Sequence, residues 1–183
     1  MSQARLNVYM ACATVLLFCF ALVLNELLFT QLEFARGINW IYLPAGMRLL
    51  CILLFAEAGA VGLLLVSWGV CFLYFFPDDV LRSFVGGVIA AAAPYLVYRG
   101  AGWLAGARTS LADLTPTRLL AYAVVFSIAS PLLHHVWFAL RGQDNLLSGF
   151  LVMAAGDLAG TLVVLYSAKA LLTLASPRSA APR

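Results

Sequence analysis

Six side chains could do chemistry inside an otherwise apolar chain: Glu26, Arg48, Glu57, His134, His135 and Asp157. A charge at the centre of a bilayer costs about 2.5–3.5 kcal/mol on insertion scales, so each needs a partner or a cavity. Asp157 is the strongest candidate for a ligand site. It sits between Gly156 and Gly160, about 11 residues into the last apolar run, with no basic residue within one helical turn. Either its partner comes from another helix or burial keeps it neutral. Glu26 and Arg48 have two readings: polar groups lining a cavity, or a structural ion pair locking two helix ends. His134 and His135 are adjacent, so on a helix they point about 100° apart and cannot easily share one metal. Their bland reading is hydrogen-bonded packing.

Other chemistries lack their patterns. No HxxxH or Glu-x-x-His pair is present, and no Ser/His/Asp or Cys/His arrangement at informative spacing, so neither a catalytic residue nor a metal or other cofactor is expected. Cys12, Cys19, Cys51 and Cys71 lie in apolar runs without Cys-x-x-Cys spacing and read as small buried hydrophobes. No basic stripe of the kind that binds nucleic acid appears.

The elements that position these residues must be membrane helices. Of 183 residues, 64% are hydrophobic and 10% charged, where a soluble domain carries about 25% charged. The reading is an all-α integral membrane protein: one polytopic domain over residues 1–175 and a disordered tail over 176–183. The first apolar run, 7–32, is too long for a signal-peptide core of about 7–15 residues. A loop over 33–43 carries Trp40 and Tyr42, which suit the membrane–water interface, and Pro44 suits the first turn of a helix.

Residues 45–76 are apolar for 32 positions. As one helix they would extend about 48 Å against a hydrocarbon core of about 30 Å. Ala56-Glu57-Ala58-Gly59 interrupts them, which predicts two spans, 45–56 and 59–76, the first unusually short. Further spans are predicted over 81–98, 117–140 and 146–174, with a basic connector over 99–118. The total is about six, with five as the alternative.

Six spans put both termini on one side. A cytoplasmic placement leaves Arg5, Arg99, Arg108, Arg118, Lys169, Arg178 and Arg183 inside, against Arg36, Arg48, Arg82 and Arg141 outside. Five spans give eight inside and three outside. Charge prefers five and span length prefers six. With six, Glu26, Arg48, His134, His135 and Asp157 converge on one outer-half zone; with five, that zone splits between the two faces. The small-xxx-small pairs Ser83/Gly87, Gly86/Ala90 and Gly156/Gly160 predict close helix contacts, and Pro94 and Pro131 predict kinks.

Two stretches carry a family resemblance. Trp40-Ile-Tyr-Leu-Pro44-Ala-Gly46 opens an aliphatic helix, and Gly156-Asp157-Leu-Ala-Gly160 falls late in a membrane helix. Together, over about residues 37–175, they resemble the first of the MASE type, the membrane-associated sensor domains of bacteria. The family's tryptophan usually abuts the proline, whereas here Leu43 does and Trp40 stands four positions earlier. Members usually have more spans and carry a kinase, cyclase or other output domain, and this chain ends shortly after its last apolar run. The resemblance therefore implies a free-standing inner-membrane sensor module. It would bind a small ligand or a membrane partner and signal through a separate kinase, cyclase or other membrane protein. Pro44, Gly46 and Asp157 are the positions carried over. The alternatives are a small-solute transporter, or a substrate-binding subunit of one, and a structural subunit of a membrane complex.

Overall fold

In a computed structural model, residues 2–105 and 114–175 are described. The expected tail over 176–183 and Arg108 lie outside them. The fold is helical, with 86% of the described residues in helices. Helix α1 (Gln3–Phe29) leads into a short ribbon of β1 (Glu33–Ala35) and β2 (Ile38–Asn39). Helix α2 (Leu43–Val70) ends in a π-helical turn, Cys71–Phe75. Helices α3 (Val80–Ala105), α4 (Pro116–Leu140) and α5 (Leu146–Ala175) follow. The expected loop over 33–43 thus contains the ribbon, and the connector expected from residue 99 starts later because α3 continues to Ala105.

Among the described residues, five helices are long and apolar enough to cross a membrane. A count of six separate long helices is therefore corrected to five, with 43–75 as one apolar run. That run is broken inside. Ala56 has φ 48° and ψ −120°, far from helical values. A Cβ placed on Gly59 would lie 2.6 Å from the Cys51 carbonyl oxygen, eight residues back; in a straight helix those positions are about 12 Å apart along the axis. At the other end, the Leu43 amide donates to Asn25 Oδ1 at 2.9 Å, and the Tyr74 hydroxyl donates to Glu26 Oε2 at 3.2 Å. Residues 43 and 74 thus meet the same turn of α1, although a straight helix would separate them by about 46 Å. The chain reverses at Ala56. A first arm (43–55) descends and a second arm (57–70) returns beside it.

Contacts fix the direction of every neighbour. Gly62 of the second arm packs on Ala11 and Thr14 of α1. Arg99 of α3 lies 3.8 Å from Glu57, while Ser83 reaches the Cys71 carbonyl at 2.9 Å, so α3 runs antiparallel to that arm. The Tyr166 hydroxyl of α5 donates to the Pro116 carbonyl at the start of α4, and His135 of α4 packs on Phe150 of α5. Six helical segments therefore alternate in direction, and residues 3 and 175 lie at the same end.

The first arm is the core. Leu43 to Leu53 are all buried, hidden by α1, the second arm and α5. At 13 residues it is only about 20 Å long, too short to cross a hydrocarbon core by itself. Complete burial makes this possible, because irregular backbone at membrane depth is tolerated where protein covers it. Gly87 makes room for the Trp68 ring, which stacks on Phe84 and donates to the Phe84 carbonyl at 3.0 Å. Pro94 and Pro131 lie inside continuous helices.

Candidate functional site: an arginine-lined cavity at one end of the bundle

The two motif stretches meet each other. Tyr42 donates its backbone amide to the Gly156 carbonyl at 3.1 Å. A Cβ on Gly156 would collide with the Asn39 carbonyl, and one on Gly160 with the Tyr42 carbonyl. Gly46 completes the seam, with the Gly160 carbonyl oxygen 2.5 Å from where its Cβ would stand. The Gly156/Gly160 pair therefore receives the extended backbone of residues 39–43 as well as a helix. Pro44 is buried at the start of the first arm, and Trp40 is half exposed beside the ribbon.

Asp157 is carried into the bundle by this seam. It is 1% exposed, and among the described residues its carboxylate has no close hydrogen bond, only the looser approach of the Ser130 hydroxyl. Arg48 of the first arm and Ser130 of α4 are its polar neighbours. Arg48 Nε, Ser130 Oγ, Thr161 Oγ1 and Asn25 Nδ2 are likewise buried without a close hydrogen bond. An unpaired buried polar atom costs about 1–3 kcal/mol, and native cores keep few.

Arg48 also reaches the wall of a small open cavity of about 50 Å³. Its polar wall is Arg36, Arg48, Arg82 and His134, and its apolar wall includes Tyr42, Phe75, Phe76, Trp137 and Phe138. The cavity lies at the end of the bundle where the ribbon, the turn 71–79 and the end of α4 meet. The three guanidinium groups lie over aromatic rings: Arg82 is 3.9 Å from the Phe76 centroid, Arg36 4.8 Å from Tyr74, and Arg48 5.5 Å from both Phe18 and Tyr42. Arg36 also donates to the Tyr74 carbonyl at 2.8 Å. No carboxylate oxygen of the described residues lies within 4.0 Å of any of the three. Burial pushes the Tyr42 phenol up to about 12, against the opposing pull of Arg48. It is therefore a neutral hydroxyl at physiological pH.

The structure brings Arg48, His134 and Asp157 together. Glu26 stands apart, half-buried and bonded to Tyr74, so the expected Glu26–Arg48 ion pair is replaced by Arg48 beside Asp157. His135 turns away from the cavity onto Gly149 and Phe150 of α5. Both histidines lie within 2.9 Å, through Nδ1, of a carbonyl one turn back, and a carbonyl can only accept, so Nδ1 carries the proton. Among the described residues, no group of three His, Cys, Asp or Glu could hold a metal ion.

Sequence reasoning missed Arg36, Arg82 and Asn25 as members of this region. Arg82 was readable only as a charge at the start of the span 81–98, after Pro77-Asp78-Asp79, and Asn25 was overshadowed by Glu26. In comparisons with protein-family models, curated proteins and solved structures, nothing matches this chain.

Proposed function

We propose that this chain is a multi-pass sensor module of a bacterial inner membrane. It binds a small molecule or membrane partner at the arginine-lined end and passes that state, by helix rearrangement, to a signalling protein such as a kinase or cyclase. The observation that carries the reading is a cluster of buried, poorly satisfied polar groups, Asp157, Arg48, Ser130 and Thr161, of which Arg48 reaches the wall of an open cavity. Core polar groups that served only packing would be paired. The likeness of Trp40–Gly46 and Gly156–Gly160 to the MASE-type motifs supports the same reading, and the contact between the two stretches gives it a physical basis.

In this proposal the six alternating segments lie in the membrane with both termini in the cytoplasm, the first arm reaching only part of the way across. Arg5, Arg99, Arg118 and Lys169 then lie at the cytoplasmic end, following the bias of basic residues to that side. The cavity opens outward.

The test joins binding to partnership. Mild crosslinking of the tagged chain in native membranes, read by mass spectrometry, should recover a signalling enzyme in stoichiometric amount. Asp157→Asn, which keeps shape and removes charge, should insert normally and change the signalling response. If Asp157→Asn matches the native chain in every binding and signalling readout, the site assignment fails. Solute flux into vesicles carrying the chain would replace the sensor reading with a transporter.

A further inference from the structure

We infer that the cavity takes an organic anion: a carboxylate or phosphate group attached to an apolar body. This deepens the sensor reading and rests on it. Three observations converge. The first is charge. Arg36, Arg48 and Arg82 line the cavity, and among the described residues no carboxylate is part of its wall. Asp157 stands behind Arg48 and is outnumbered. Asp79 influences Arg82 from the exposed turn, where solvent screens it, and Glu26 and Glu33 lie near Arg36 around Tyr74.

The second is geometry. A guanidinium is a flat fork whose faces suit aromatic rings and whose edge N–H groups suit carboxylate or phosphate oxygens. Here aromatic rings cover the faces while the Nε edges of Arg48 and Arg82 are buried and unpartnered. Arg48 is 7% exposed, so its Nε edge lies within the packed wall and only the outer part of its guanidinium meets the cavity. The third is the remaining wall. Tyr42, Phe75, Trp137 and Phe138 offer apolar surface to the body of such a molecule, and the neutral Tyr42 hydroxyl adds one donor.

The same chemistry is available from a soluble organic acid or from the headgroup of an anionic lipid at the outer surface. The experiment separates them. The purified chain is placed in nanodiscs of phosphatidylcholine and titrated with phenyl phosphate, benzoate or the neutral isostere benzamide, with thermal midpoint as readout. In a parallel arm, no soluble probe is added and phosphatidylglycerol replaces phosphatidylcholine.

A soluble ligand predicts that phenyl phosphate or benzoate raises the midpoint, that benzamide does not, and that Arg48→Gln or Arg82→Gln weakens apparent affinity about tenfold or more. A lipid ligand predicts a higher midpoint in phosphatidylglycerol, lost in the same variants. Arg141→Gln, outside the cavity, should retain either effect. If Arg48→Gln does not fold, the half-buried Arg82 keeps the test valid. No response to either anion arm overturns the inference. If benzamide or another neutral compound then shifts the midpoint, the sensor reading survives with a different ligand class; if no compound in a broad panel does, both fall.

Discussion

Replacing Gly46 with alanine tests the seam on which the site is built. The new Cβ would stand 2.5 Å from the Gly160 carbonyl oxygen, 2.8 Å from Thr161 Cα and 2.8 Å from Val164 Cβ. Comfortable carbon contacts are about 3.5–4.0 Å, so each neighbour must retreat by about 1 Å. Two of the three are backbone atoms of a continuous helix and cannot rotate away. Overpacking of this kind costs about 1–3 kcal/mol, and fixed backbone puts Gly46→Ala at the upper end. In a chain of this size each kcal/mol moves the thermal midpoint by about 2–4 °C, so the expected loss is about 5–10 °C. Gly69→Ala is the control, because nothing lies within 4 Å of its Cβ and alanine favours helix. The assay is thermal unfolding of both variants in the same detergent. Equal midpoints would refute the packing of the first arm on α5.

Other perturbations probe other joints. Ala56→Gly should raise stability by about 1 kcal/mol, because φ of 48° strains any residue with a Cβ; a lower midpoint would argue against the reversal. Asn25→Ala should cost about 1–3 kcal/mol by leaving the buried Leu43 amide without its acceptor, measured by the same melt. Ser83→Ala should cost about 1 kcal/mol, since its buried hydroxyl lies within hydrogen-bond reach of the Cys71 and Phe76 carbonyls and ties α3 to the π-helical turn.

Much of the architecture was legible because apolar length is a strong signal in this chain. The ends of α4 and α5, the break near Ala56 and the nearness of Arg48, His134 and Asp157 to one another all follow from run lengths and isolated charges. What stayed hidden is which face of each helix turns inward. Lipid and core are equally apolar, so no amphipathic stripe marks the inner side. His134 and His135 were therefore indistinguishable, although one lines the cavity and the other packs on α5. Gly156 and Gly160 signalled close approach, but nothing in their spacing told that an extended segment, Asn39–Leu43 in the chain, would lie against them. Arg36 looked like a loop charge and Arg82 like a charge at a helix start, because the rings that cover their guanidinium faces, Tyr74 and Phe76, belong to a turn whose place depends on the reversal.

Everything at the arginine-lined end depends on that reversal, since only then do Tyr42 and Arg48 share a cavity with Cys71 and Arg82. The most direct measurement is the distance between spin labels at Trp40 and Leu73, both exposed, in a chain freed of its four cysteines and reconstituted in bilayers. A chain folded back at Ala56 predicts a separation within about two helix diameters, ~20 Å. A continuous helix would hold the labels about 45 Å or more apart, and that result would dismantle the cavity and the function proposed for it.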